Sequence, residues 1–88
     1  MMRHLSPEQV LLIADEFCEQ YRVNVIDFAA IFAAASITGG QIAGVTLFQN
    51  VNSARQGLER AIIALAPLSD RNREFATVVG EVFRRLNA

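Results

Sequence analysis

From Phe75 onward the apolar residues Phe75, Val78, Val79, Val82, Phe83 and Leu86 return at every third or fourth position. That spacing lines one face of an α-helix and rules out a strand. Arg84 and Arg85 in the last turn complement the negative end of the helix macrodipole. Upstream, Ser6-Pro7-Glu8-Gln9 is a helix start. Ser6 is placed to cap free N–H groups, Pro7 suits the first helical position and Gln9 completes a capping box. Val10, Ile13, Ala14, Phe17, Cys18 and Tyr21 then predict a buried stripe to about Tyr21, with Asp15, Glu16 and Glu19 on the solvated side.

Val23-Asn24-Val25 breaks this period, and a second, short helix is expected from about Asp27 to Ser36, carrying Phe28, Ala29, Ile31, Phe32 and Ala33. Gly39-Gly40 ends it, and Gly44 punctuates the stretch beyond. Val45-Thr46-Leu47-Phe48 is read as an extended arm or half-hairpin. A third helix begins near Asn50 to Ser53, turns Ala54, Leu58, Ala61, Ile62 and Leu65 inward, and stops at Pro67. The prediction is an all-α fold: a small bundle of about four helices, with an extended arm between helices two and three.

At 88 residues the chain makes a single domain near the lower size limit for an unaided core. About half the residues are apolar, so the chain is globular. The net charge is −1 and the arginines are dispersed among carboxylates, which excludes the concentrated positive field that nucleic-acid binding needs. Cys18 and His4 are the sole residues of their kinds, so no Cys/His metal cluster is expected and Cys18 is read as a buried, inert thiol. No apolar run approaches the roughly 20 residues of a membrane span. Acidic residues interrupt the N-terminal apolar positions, unlike a signal peptide. A soluble cytoplasmic protein is expected.

The run Ala66-Pro67-Leu68-Ser69-Asp70-Arg71-Asn72-Arg73-Glu74-Phe75-Ala76 stands between the third and fourth helices. It resembles the HPFxDGNKRTA signature of the Fic/Doc family of death-on-curing toxins and their AMP-transferring relatives. Arg3-His4-Leu5-Ser6-Pro7-Glu8 is similar to the opening of Doc-like proteins, and Phe83-Arg84-Arg85-Leu86-Asn87 to the FLRLNG end of the family's motif helix. The resemblance implies a Fic/Doc-like bundle over residues 1–88, with 44–51 as the flap that lines the substrate groove. It also implies a chain short at its C-terminus, since Doc-like proteins continue for several helical turns beyond the motif helix. On that reading the stripe ending at Leu86 belongs to a truncated relative or is completed by another subunit, which makes a homodimer a further expectation.

In the family, backbone N–H groups at the helix N-terminus hold phosphate, an acidic residue binds Mg²⁺ and basic residues neutralise the transferred group. A histidine takes the proton from the attacking hydroxyl, a contribution of roughly 10²–10⁴ in rate. Carried onto this chain, Asp70 is the Mg²⁺ ligand, Asn72 a loop-shaping or phosphate-contacting residue, and Arg73 stands for the family's lysine. Ala66 replaces the catalytic histidine, Arg71 replaces glycine, and Glu74 sets a negative charge where the family has a positive one. The residues alone also fit N-terminal capping by Asp70 and Asn72, with Arg73 and Glu74 as exposed first-turn residues.

The implied function is that of a degenerate toxin–antitoxin protein. It would be a catalytically inactive pseudoenzyme that binds an antitoxin-like or other protein partner beside the arm, with Val45, Leu47, Phe48 and Val51 lining the partner groove. No cofactor is expected in that case. The alternative is an active toxin that uses ATP and Mg²⁺ to transfer phosphate or AMP to a hydroxyl of a target such as elongation factor Tu. A second alternative is an unrelated small helical interaction module.

Overall fold

The computed structural model describes residues 2–39, 41–42, 45–46 and 50–88. Among these residues it is an all-α bundle of four helices: α1 (Pro7–Tyr21), α2 (Phe28–Ser36), α3 (Val51–Leu65) and α4 (Asn72–Leu86). A single 3₁₀ turn, Ile37–Gly39, comes directly after α2. In the arm ahead of α3, β1 (Gln41–Ile42) pairs antiparallel with β2 (Val45–Thr46), Gln41 opposite Thr46 and Ile42 opposite Val45. The expected half-hairpin is present over these residues; Gly44, Leu47 and Phe48 lie outside the described ones.

Local chemistry sets each helix boundary. At α1 the capping box is closed on both sides: Gln9 N donates to Ser6 Oγ at 3.1 Å, and Ser6 N donates to Gln9 Oε1 at 2.8 Å. Arg22 ends α1 in the left-handed region at φ 57°. Asp27 caps α2 by accepting from Ala30 N at 3.0 Å, and Asn50 caps α3 by accepting from Ser53 N at 2.8 Å. Asn87 closes α4. Its amide donates to Phe83 O and Arg3 O, and its Oδ1 accepts from Arg3 N at 2.7 Å, so the N-terminal segment is tied to the end of the last helix.

The core joins Leu5, Val10, Ala14, Phe17, Ile31, Leu58, Ile62, Leu68, Phe75, Val79 and Phe83, each almost wholly removed from water. Burial of each large member contributes about 1.5–3 kcal/mol. Two faces differ from those expected. Of the α2 residues expected to pack, only Ile31 is buried; Ala30, Ala34 and Ala35 join it inside, while Phe28 and Phe32 stand outside. On α4, Val78 and Val82 sit at the edge of the stripe, more than a third exposed, and Ala76 and Gly80 complete its centre. Leu65 of α3 and Tyr21 of α1 are likewise exposed.

The α3–α4 interface is the most extensive in the fold, and Gly80 sets its closeness. A Cβ at Gly80 would meet the Glu59 carboxylate and lie 2.8 Å from Cδ and 2.9 Å from Cγ of that side chain. Glu59 is in turn paired with Arg55 at 3.2 Å. Alanine in mid-helix is favoured over glycine by about 1 kcal/mol. In Gly80→Ala that gain is offset by displacement of Glu59, so the single variant should be near neutral or destabilised. In a Glu59→Ala background the same change should stabilise by about 1 kcal/mol. Urea denaturation of the four-member cycle measures the coupling; additive effects would remove Glu59 as the obstacle.

Candidate functional site

The loop between α3 and α4 is a turn, and it is knitted to the segment that links α1 to α2. Ala66 leaves α3 in the left-handed region at φ 47°, its N–H donating to Ile62 O at 2.9 Å. Pro67 is buried, and its carbonyl accepts from Ile26 N at 2.8 Å and Asp27 N at 3.2 Å. Val25 and Leu68 form an antiparallel bridge. Ser69 N donates to Asn24 O at 2.8 Å, and Asn24 N donates to Ser69 Oγ at 3.0 Å. Leu68 is buried.

Asn72 holds this turn shut. Its Oδ1 accepts from Leu68 N and its Nδ2 donates to Leu68 O, both at 2.9 Å, so the side-chain amide pairs with the backbone of Leu68 as a second peptide would. Of its two expected roles, Asn72 fills the loop-shaping one. Asp70 does not cap α4: its Oδ1 accepts from Arg71 N at 2.8 Å. The cap position is Arg71, left-handed at φ 61° and ψ 32°, with no side-chain hydrogen bond to the helix. This is the position at which the family motif has glycine, the residue with least objection to such a backbone. The Arg71 guanidinium lies 5.0 Å from the centre of the Tyr21 ring and 3.6 Å from the Glu74 carboxylate. Arg73 is exposed in the first turn.

Ala66 offers no proton acceptor. Asp70 is the one carboxylate the resemblance assigns to metal, and its Oδ1 accepts from the backbone N–H of Arg71. Among the described residues no three His, Cys, Asp or Glu side chains are grouped to hold a metal ion. Glu74 stands in the first turn of α4, beside the N–H groups an anion would approach.

Of the residues expected in the partner groove, Val51 is the first residue of α3, partly buried against the core. Val45 contributes its backbone to β2, and Leu47 and Phe48 lie outside the described residues. The expectations missed a cleft on another face. Ile13, Phe17 and Tyr21 of α1 face Val78 and Val82 of α4 around a space of about 190 Å³, with Glu16 and Gln20 at its edge. Its signal was present in the breadth of the α4 stripe, which is wider than one neighbouring helix covers. Cys18, on the same helix, is partly buried. Burial, and then the charge of Asp15, raises its thiol pKa, which keeps it protonated at neutral pH.

No family model matches the chain, and comparison with curated proteins and with solved structures gave no match. Among the described residues no helix is long and apolar enough to cross a membrane.

The left-handed backbone at Ala66 supplies a direct test of the turn. A Cβ in that region costs about 1–2 kcal/mol, and glycine is the favoured residue past a helix end. Ala66→Gly should therefore raise stability by about 1 kcal/mol, allowing for the extra freedom of the unfolded chain. Thermal and urea denaturation check it; a loss of stability would mean that Ala66 is not left-handed in solution.

Proposed function

We propose that this protein is a non-catalytic protein-binding module, a pseudoenzyme whose α3–α4 loop has the outline of a Fic/Doc phosphate loop and serves as structure. One observation carries the reading: Asp70, Arg71 and Asn72 are all engaged within the chain, on Arg71 N, on Tyr21 and Glu74, and on Leu68. The left-handed Arg71 at the motif's glycine position favours descent from such a loop over chance likeness. The α1–α4 cleft is the surface assigned to the partner. It suits an apolar side chain projecting from an amphipathic helix, with a basic neighbour set against Glu16. Within this proposal the protein acts in the cytoplasm as part of a toxin–antitoxin system.

Calorimetry with ATP and Mg²⁺ tests the non-catalytic half. No heat is expected, and sub-millimolar binding would overturn it. The triple variant Ala66→His, Arg71→Gly, Glu74→Arg tests descent, and it should acquire measurable nucleotide binding. A folded triple variant that still ignores ATP would favour an unrelated helical interaction module.

A further inference from the structure

Helix α2 is apolar all the way round, and the described residues cover only half of it. Its sequence, Phe28-Ala29-Ala30-Ile31-Phe32-Ala33-Ala34-Ala35-Ser36, has no charged residue. Ala30, Ile31, Ala34 and Ala35 are buried, whereas Phe28, Ala29, Phe32, Ala33 and Ser36 are outside the core, Phe28 exposed by 55 % and Phe32 by 46 %. Ile26, just ahead of the helix, is 65 % exposed. The other helices carry charge on their outer faces: Asp15, Glu16 and Glu19 on α1, Arg60 on α3, Arg73, Glu74, Arg84 and Arg85 on α4. A helix with no polar side is one that is covered on every side in its working state.

We propose that a second copy of this chain covers it, α2 against α2 across a two-fold axis. A two-fold contact sets a face against itself, so any charge on it meets its own like; the helix itself has none, and the one charge at its margin, Asp27, is held at the α2 N-cap, accepting from Ala30 N at 3.0 Å. A charged partner would find nothing here to steer it or fix its register. Ala29 and Ala33, one turn apart, let the two helices approach, while Phe28 and Phe32 pack to either side. The area is also appropriate. Half-exposed phenylalanines offer about 100 Å² each. With Ile26, the alanines and Ser36 the two faces together bury on the order of 1,000 Å², the lower end for a specific interface and suited to a reversible dimer. This surface is separate from the α1–α4 cleft, so its failure would leave the proposed function standing.

Sedimentation and light scattering across micromolar to millimolar concentrations test the proposal on the full chain. The mass should rise towards twice that of the monomer, and Phe32→Glu should weaken association by about 100-fold or more with the helical circular dichroism retained. Should Phe32→Glu fail to fold, Ala33→Cys in a Cys18→Ser background gives the second reading: mild oxidation should link two copies covalently. A monomer at every concentration would overturn the proposal, as would a dimer indifferent to Phe32→Glu or one that Ala33→Cys does not cross-link. Binding of the monomer to neutral phosphatidylcholine vesicles through Phe28 and Phe32 would overturn it too, by assigning the face to lipid.

Discussion

Phe75→Ala is expected to destabilise the protein by about 3–5 kcal/mol, the range for truncating a buried phenylalanine. A domain of this size holds about 4–13 kcal/mol in total, so the variant should lose a large share of its stability and unfold at a markedly lower urea concentration. The ring is fully buried, its centroid 5.4 Å from that of Phe17. Phe17 lies 4.5 Å from Tyr21, and Tyr21 carries the Arg71 guanidinium on its face. The cavity would therefore open beneath the α3–α4 loop and loosen it together with the core. Tyr21 is the only tyrosine and the chain has no tryptophan, so near-ultraviolet dichroism in the tyrosine band reports this neighbourhood directly. Urea denaturation followed there and in the far ultraviolet measures the loss. Phe32→Ala is the control: the same side chain, half exposed, should cost less than about 1 kcal/mol in the monomer. A loss under about 2 kcal/mol at Phe75 would place it outside the core.

That contrast marks where the sequence is readable. Helix boundaries are, because single residues with local chemistry set them: Ser6 and Gln9 close a capping box, Asp27 and Asn50 cap, and Pro67 forbids continuation. The faces are less so. In α2 nearly every residue is apolar, so no period distinguishes inside from outside, and the alanines occupy the core where Phe28 and Phe32 are expected. The loop is legible as a turn but not in its wiring. Asp70 and Asn72 have the composition of a helix cap, yet the cap position is Arg71, and Asn72 reaches backwards to Leu68. The bond from Asn24 N to Ser69 Oγ joins residues 45 apart. Such a pairing depends on how α1 packs on α4 and α2 on α3, which no local pattern encodes.

Removing the Asn72 amide should cost about 2–3 kcal/mol, because Asn72→Ala deletes two hydrogen bonds and leaves the N–H and C=O of buried Leu68 without those partners. Asn72→Asp separates the halves of that loss. The carboxylate still accepts from Leu68 N, and a negative charge in the first turn of α4 gains about 0.3–1 kcal/mol from the helix dipole. It cannot donate, however, and it faces the Leu68 carbonyl with like partial charge. The expected order of stability is Asn72, then Asp, then Ala. Amide hydrogen exchange at Leu68 gives the local readout, slow in the parent and in Asn72→Asp, fast in Asn72→Ala. The same series decides between the roles the Fic/Doc resemblance allows this residue. An asparagine kept for phosphate would leave the unliganded fold nearly unchanged when removed. A loss under about 0.5 kcal/mol, within the range of ordinary surface substitutions, would return Asn72 to a ligand-facing role and reopen the nucleotide question. A loss near the full value makes the side chain a clamp on the turn.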